Sequence, residues 1–326
     1  MSKPLHRKRL SRVVGRQGLA LLAQARSAWP RIEDPEDPEG LHDFRVALRR
    51  LRSWLKAYRG YPGVAIPKTQ RRRLRDLARA TNEARDGEVM LAWLEAERPS
   101  LGNAERGAVD WWSERLRARV EADYAEARCV LEAGFPGLDR ELGETLAALA
   151  KKGGGPRFGE ATARELAALH ETLTAEIAAI DSPESQEALH RPRITGKRIR
   201  YLLKPWKGEA PIFDEAEKAM KAFQDAFGVL HDDLVREPAL TAAAAAHAEE
   251  EAREKLALAA EGEEARAAAP RHLRGFMGLA RAHRERRLAH YDCALEVARS
   301  AGPGDQGGPL TLADRLEAAL AAMRVD

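Results

Sequence analysis

The chain has 326 residues, 44% of them hydrophobic and 32% charged, and its 54 Lys and Arg nearly cancel its 51 Asp and Glu to leave a formal net charge of +3. A core of ordinary size is within reach, but overall charge points to no class of partner; only the placement of charge can. Two cysteines, Cys129 and Cys293, exclude a disulfide framework, and no stretch approaches the roughly 18 apolar residues of a membrane span.

The N-terminal segment is basic, and Arg16, Gln17 and Gly18 interrupt it before any secretory-type apolar run develops. A soluble cytoplasmic protein is expected. Ala, Leu, Arg and Glu dominate, and alternating runs of Val, Ile and Thr are absent, so an all-α fold is expected. Apolar residues recurring at three and four predict helices over 5–29, 41–60, 68–97, 104–133 and 138–151. A second series is predicted over 160–180, 189–206, 212–235, 238–268, 271–300 and 310–324. Prolines punctuate the two series at 35, 38, 62, 67, 99, 136, 183, 211, 270 and 303. Residues 153–157, Gly-Gly-Gly-Pro-Arg, form the natural linker. It separates a first helical-bundle half, 1–152, from a second, 158–326. The acidic, Ala-rich stretch 241–268 is expected to be a solvated helical arm.

The two series repeat one another. An offset of 148 residues carries 41–60 (LHDFRVALRRLRSWLKAYRG) onto 189–208 (LHRPRITGKRIRYLLKPWKG), with eight of twenty positions identical. Upstream, Pro35, Glu36 and Glu39 match Pro183, Glu184 and Glu187. Downstream the offset is 146, and Arg72, Arg75 and Asp86 meet Lys218, Lys221 and Asp232. Two bundles related by a pseudo-two-fold axis, with a cleft between them, are expected.

At 100° per residue, His42, Arg45, Arg49, Arg52 and Lys56 share an arc of about 80°, opposite a stripe of Phe44, Leu48, Leu51, Leu55 and Tyr58. His190, Arg193, Lys197, Arg200 and Lys204 repeat that arc. The two segments carry 13 Lys and Arg and one acid, Asp43, so the rest of the chain is net negative. A solvated helix face mixes signs, because opposite charges four apart attract; stacked like charges cost a few tenths of a kcal/mol each. Two such faces in equivalent places point to a bound anion. Arg suits phosphate through its planar fork, and Lys adds point charge. A row of this kind spans about 21 Å, longer than a single phosphate needs and suited to a linear polyanion. Arg72, Arg75 and Arg79 from one half, and Lys218 and Lys221 from the other, are candidates for the same groove, with Arg9, Arg12 and Arg16 beyond them. His42 and His190 stand near helix starts. Each can donate to an anion there, or can brace its own loop through Glu39 or Glu187.

These residues resemble the CHAD family, named for a histidine-containing α-helical domain. The motif His-x-x-Arg-(Val/Ile)-x-x-(Arg/Lys)-Arg-x-Arg is carried by His42, Arg45, Arg49, Arg50 and Arg52, and again by His190, Arg193, Lys197, Arg198 and Arg200. The family's later turn is similar to Thr81–Asp86 and to Phe227–Asp232. The resemblance implies two four-helix-bundle halves around a basic cavity, binding of inorganic polyphosphate, and association with polyphosphate granules. Pro192 and Gly196 depart from the first copy, and Gly196 costs roughly 1 kcal/mol of helix. The ExExK signature of an accompanying triphosphatase domain is absent from the sequence, so the resemblance is to a stand-alone member.

Other readings are open. Glu39-x-x-His42 and Glu187-x-x-His190 have the spacing of ferritin-like di-iron ligands, but with cations around them. His231-Asp232 is similar to the dyad of a helical metal phosphohydrolase. Basic helices also bind nucleic acid, although no aromatic platform interleaves with these arginines, and a pure scaffold is a further reading. No nucleophile motif, P-loop or dinucleotide fingerprint is present, and neither a cofactor nor a metal is expected.

Overall fold

The computed structural model describes residues 3–34, 37, 39–261, 273–300 and 310–324. Pro35, Glu36, Pro38, Pro270, Pro303 and the 262–268 end of the acidic stretch lie outside the described residues. The chain is all-α, with no strand among the described residues. Its helices are α1 (Leu10–Ala28), α2 (Glu39–Tyr58), α3 (Lys68–Ala80), α4 (Asn82–Glu97), α5 (Asn103–Lys152), α6 (Phe158–Ala178), α7 (Gln186–Leu203), α8 (Pro211–Ala260), α9 (Leu273–Arg299) and α10 (Leu312–Met323).

Three expected boundaries change. The predicted helix 68–97 breaks at Thr81, whose hydroxyl bonds back to the Ala78 carbonyl. The breaks placed near Pro136 and Pro238 are absent; α5 and α8 each run 50 residues through their proline. Both rings are exposed, so the carbonyl each leaves unpaired can be hydrated. Apolar residues on either side hold the α5 axis continuous: Leu131, Phe135, Leu138 and Leu142 are all buried on one stripe.

α1 packs on α2 and on the C-terminal part of α5; α6, α7 and α8 pack in sequence, with α10 closing against α6 and α8. One core runs through both sets. An aromatic run crosses between them: Trp54 packs on Tyr58, and Phe158 stacks on Trp206 with ring centroids 5.1 Å apart. The Tyr58 hydroxyl and Thr162 share a 2.9 Å hydrogen bond, and the Trp54 indole donates to the Val14 carbonyl. The α2 face opposite the cations is thus fully buried, as its apolar stripe requires.

A second, separate core lies away from this one. It joins Met90, Trp93 and Leu94 of α4 and Val109 and Trp112 of α5 to Leu240 and Ala243 of α8 and Phe276 and Leu279 of α9. The stretch 241–260 is therefore not simply solvated. Ala243 and His247 are buried, and His247 lies edge-on to Trp111 with centroids 4.8 Å apart. Its acids pair along and across helices: Glu249 with Arg253, Glu250 with Arg115, and the largely buried Glu251 with Lys255.

The Gly-rich connection is pinned. Gly153 ends α5 at φ 62°, the left-handed position glycine takes without strain. The backbone then bonds to the start of α1: Leu10 N–H to the Pro156 carbonyl, Ser11 N–H to Gly154, and Phe158 N–H to Lys8. No helix of the described residues is long and apolar enough to cross a membrane.

Candidate functional site

α2 and α7 meet directly, and their cationic faces open on one cleft of about 630 Å³. From α2 and the residue after it come Arg49, Arg52, Lys56 and Arg59; from α3 come Lys68, Arg71, Arg72 and Arg75; from α7 come Lys197 and Arg198. Leu55, Leu74, Ile194 and Tyr201 supply the apolar wall, and among the described residues no carboxylate side chain lines the cleft. Arg49 Nε donates to the Tyr201 hydroxyl at 3.1 Å, bridging α2 to α7. Arg59 and Arg71 also border an adjoining, wider hollow against Thr145 and Lys152 of α5.

Six residues expected from sequence line the cleft: Arg49, Arg52, Lys56, Arg72, Arg75 and Lys197. The others lie elsewhere. Arg45 donates to Thr81 and Asn82, both at 2.9 Å, and so ties α2 to the α3–α4 break, with Asp86 nearby. Arg193 is half-buried in the corresponding place beside Asp232. Asp86 also feels the charge of Asp232, and burial raises the pKa of each. This polar seam lies outside the cleft lining, and Arg49 and Lys197 neighbour it: Lys197 feels Arg193, Arg49 and Asp232.

His190 does not brace through Glu187, which pairs with Arg191. Its ring nitrogen instead lies 3.1 Å from that of His231. Burial and Arg193 push His231 down to about 4, and burial also lowers His190. Burial and Arg85 lower His42. Among the described residues, no three His, Cys, Asp or Glu side chains converge as a metal would require.

Arg200 is spent internally. Its Nε donates to Glu217 at 2.7 Å and its Nη1 to Gln224. Its counterpart Arg52 has no such partner, because the position matching Glu217 is Arg71. Burial and neighbouring Arg50 push Lys204 down to about 8. Lys221 pairs with Asp225, Lys218 is exposed, and neither lines the cleft. Arg79 sits near Arg52 outside the lining. Arg9 donates to the Gly155 carbonyl, Arg12 approaches Gly153, and Arg16 is exposed on α1. The cations therefore come chiefly from α2 and α3, with α7 adding two.

Sequence reasoning missed Arg59, Lys68, Arg71, Arg198 and Tyr201. The dense run Lys68–Arg75 was a usable signal for the first of the α3 cations. Arg198 lies off the shared arc on the helical wheel and reaches the cleft only because α7 crosses α2 there.

The architecture is that of an all-helical domain built around a cation-lined cleft between two contacting basic helices. The chain belongs to the CHAD family, whose domain model matches residues 16–241. Among solved structures it is similar to the crystal structure of the CHAD domain from the plant Ricinus communis, with TM-score 0.68 and 21% identity over 92% of this chain and 95% of that one. It is also similar to PptA from Streptomyces chartreusis, with TM-score 0.55 and 17% identity over 89% of this chain and 99% of that one. At these identities the likeness is one of fold. A comparison with curated proteins gives no match.

Proposed function

We propose that the cleft binds inorganic polyphosphate and that the protein is a binder, not a catalyst. The observation that carries this reading is the lining: ten Lys and Arg side chains around about 630 Å³, with Arg75 paired to Asp76 and no acid among the described lining residues. Such crowding is unfavourable unless a polyanion neutralises it. Ten cations exceed what one phosphate can use, and bidentate guanidinium pairing suits successive phosphates along a chain. Membership of the CHAD family supports the same ligand class. The repeat further suggests two helical-bundle halves, 1–152 and 158–326 with 153–157 between them, of which the first supplies most of the ligand contacts. A cytoplasmic role on polyphosphate granules follows from this reading.

The test is a titration with polyphosphates of graded length at fixed salt. Affinity is expected to rise with length until the cleft and the adjoining hollow are filled, then level off. Single-stranded RNA or DNA competing equally at the same phosphate concentration would favour a nucleic-acid reading instead.

A further inference from the structure

We propose that Lys197 is a self-acylation site: cleft arginines seat the phosphate of a small acyl phosphate, and the Lys197 amine takes its acyl group. The inference rests on the anion-binding reading of the cleft. Lys197 stands half-buried on α7 and lines the cleft beside Arg49 and Arg198. The charged and titratable groups facing it are Arg193 and His190 from its own helix, Arg49 from α2, and His231 and Asp232 from α8. It holds no ion pair among the described residues. An amine in this position has cations around it and guanidinium groups within reach of any phosphate it meets.

Burial, then Arg193 and Arg49, push the Lys197 ammonium down to about 7. About half of it is then the neutral, nucleophilic amine at neutral pH, against well under a thousandth of an ordinary lysine. A lower basicity also makes the amine intrinsically slower, so the gain in rate is smaller than the gain in neutral fraction. The step is balanced. The nitrogen lone pair attacks the acyl carbon and a C–N bond forms. The C–O bond to phosphorus-bound oxygen breaks, and inorganic phosphate departs with that electron pair. The amine proton passes to the departing phosphate or to water. The product is a neutral amide, which removes one cleft cation and blocks the cleft where α7 faces α2. Acylation would therefore lower polyanion affinity without any change of fold.

The experiment incubates the full chain with acetyl phosphate at neutral pH and follows each lysine by peptide mass mapping. Lys197 is expected to be acetylated at least about tenfold faster than the exposed Lys207. A neutral acyl donor, p-nitrophenyl acetate, should show a smaller preference, and preloading with polyphosphate should protect Lys197 but not Lys207. Equal rates at Lys197 and Lys207 in a chain that binds polyphosphate normally overturn the acylation site alone. An equal preference with both donors overturns the seating of phosphate. Fast acetylation of Lys197 that polyphosphate fails to block counts against the polyanion reading itself.

Discussion

Raising the pH from 7 to 9 should weaken polyphosphate binding through Lys197, and the size of the effect can be worked out. In the free cleft its pKa lies at about 7, so half the molecules already lack that charge at pH 7 and nearly all lack it at pH 9. A bound polyanion favours the ammonium and raises its pKa, so binding takes up a proton. The linkage sign is then fixed. The contribution is fully present below the free value and is lost as pH climbs from there to the bound value. If the bound value lies well above 9, the loss between pH 7 and 9 is about fiftyfold in affinity, or about 2.3 kcal/mol at 1.36 kcal/mol per unit. The assay is a titration at constant ionic strength with long chains, in which terminal phosphate ionisation is a negligible fraction of the charge. Lys197→Arg, which keeps its charge throughout, should flatten the profile. Affinity unchanged from pH 7 to 9 in the wild type would refute the reasoning.

Other outcomes follow from the same geometry. Arg52→Glu with Arg72→Glu should lower polyphosphate affinity by at least about 3 kcal/mol, since each charged hydrogen bond contributes roughly 1.5–3 kcal/mol, while thermal unfolding stays near the wild-type value because neither side chain holds an ion pair among the described residues. Arg200→Met should do the reverse: it strands Glu217, whose side chain is 10% exposed, and should cost about 2–3 kcal/mol in chemical denaturation with a much smaller effect on binding. Gly196→Leu should destabilise by about 1–3 kcal/mol, because a Cβ there already meets the Phe223 ring at 3.1 Å and Met220 Sδ at 3.3 Å; unchanged denaturation would show that α7 and α8 can separate. The wild-type affinity itself should fall with salt by about 0.7 log units per log unit of salt for each phosphate held, measured by titration from low to moderate ionic strength.

The all-helical fold was legible because the apolar stripe of α2 is uninterrupted: Phe44, Leu48, Leu51, Leu55 and Tyr58 all turned inward, and that alone fixed the opposite arc as the open face. Half of the site was legible for the same reason. The other half was not, because charge on a helical wheel does not reveal which cations already have partners. Arg200 and Arg52 are identical in the repeat, and one substitution on the next helix, Glu217 for Arg71, decides which of them remains free. Arg45 and Arg193 likewise face the right way but serve a polar seam with Asp86 and Asp232. The helix breaks at Pro136 and Pro238 were misread because proline weakens a helix locally, whereas burial along the whole stripe decides whether the axis continues. Gly196 was read as a weak point in a helix; its use is the close seating of α7 on α8.

The second core has a consequence for the mouth of the cleft. Because α4 and the start of α5 are locked onto the far end of α8 and onto α9, the two banks of cations are fastened together beyond the opening as well as beneath it. Packing on both sides opposes widening of the gap, so for the polyanions proposed to bind there, selectivity would be set in part by their girth.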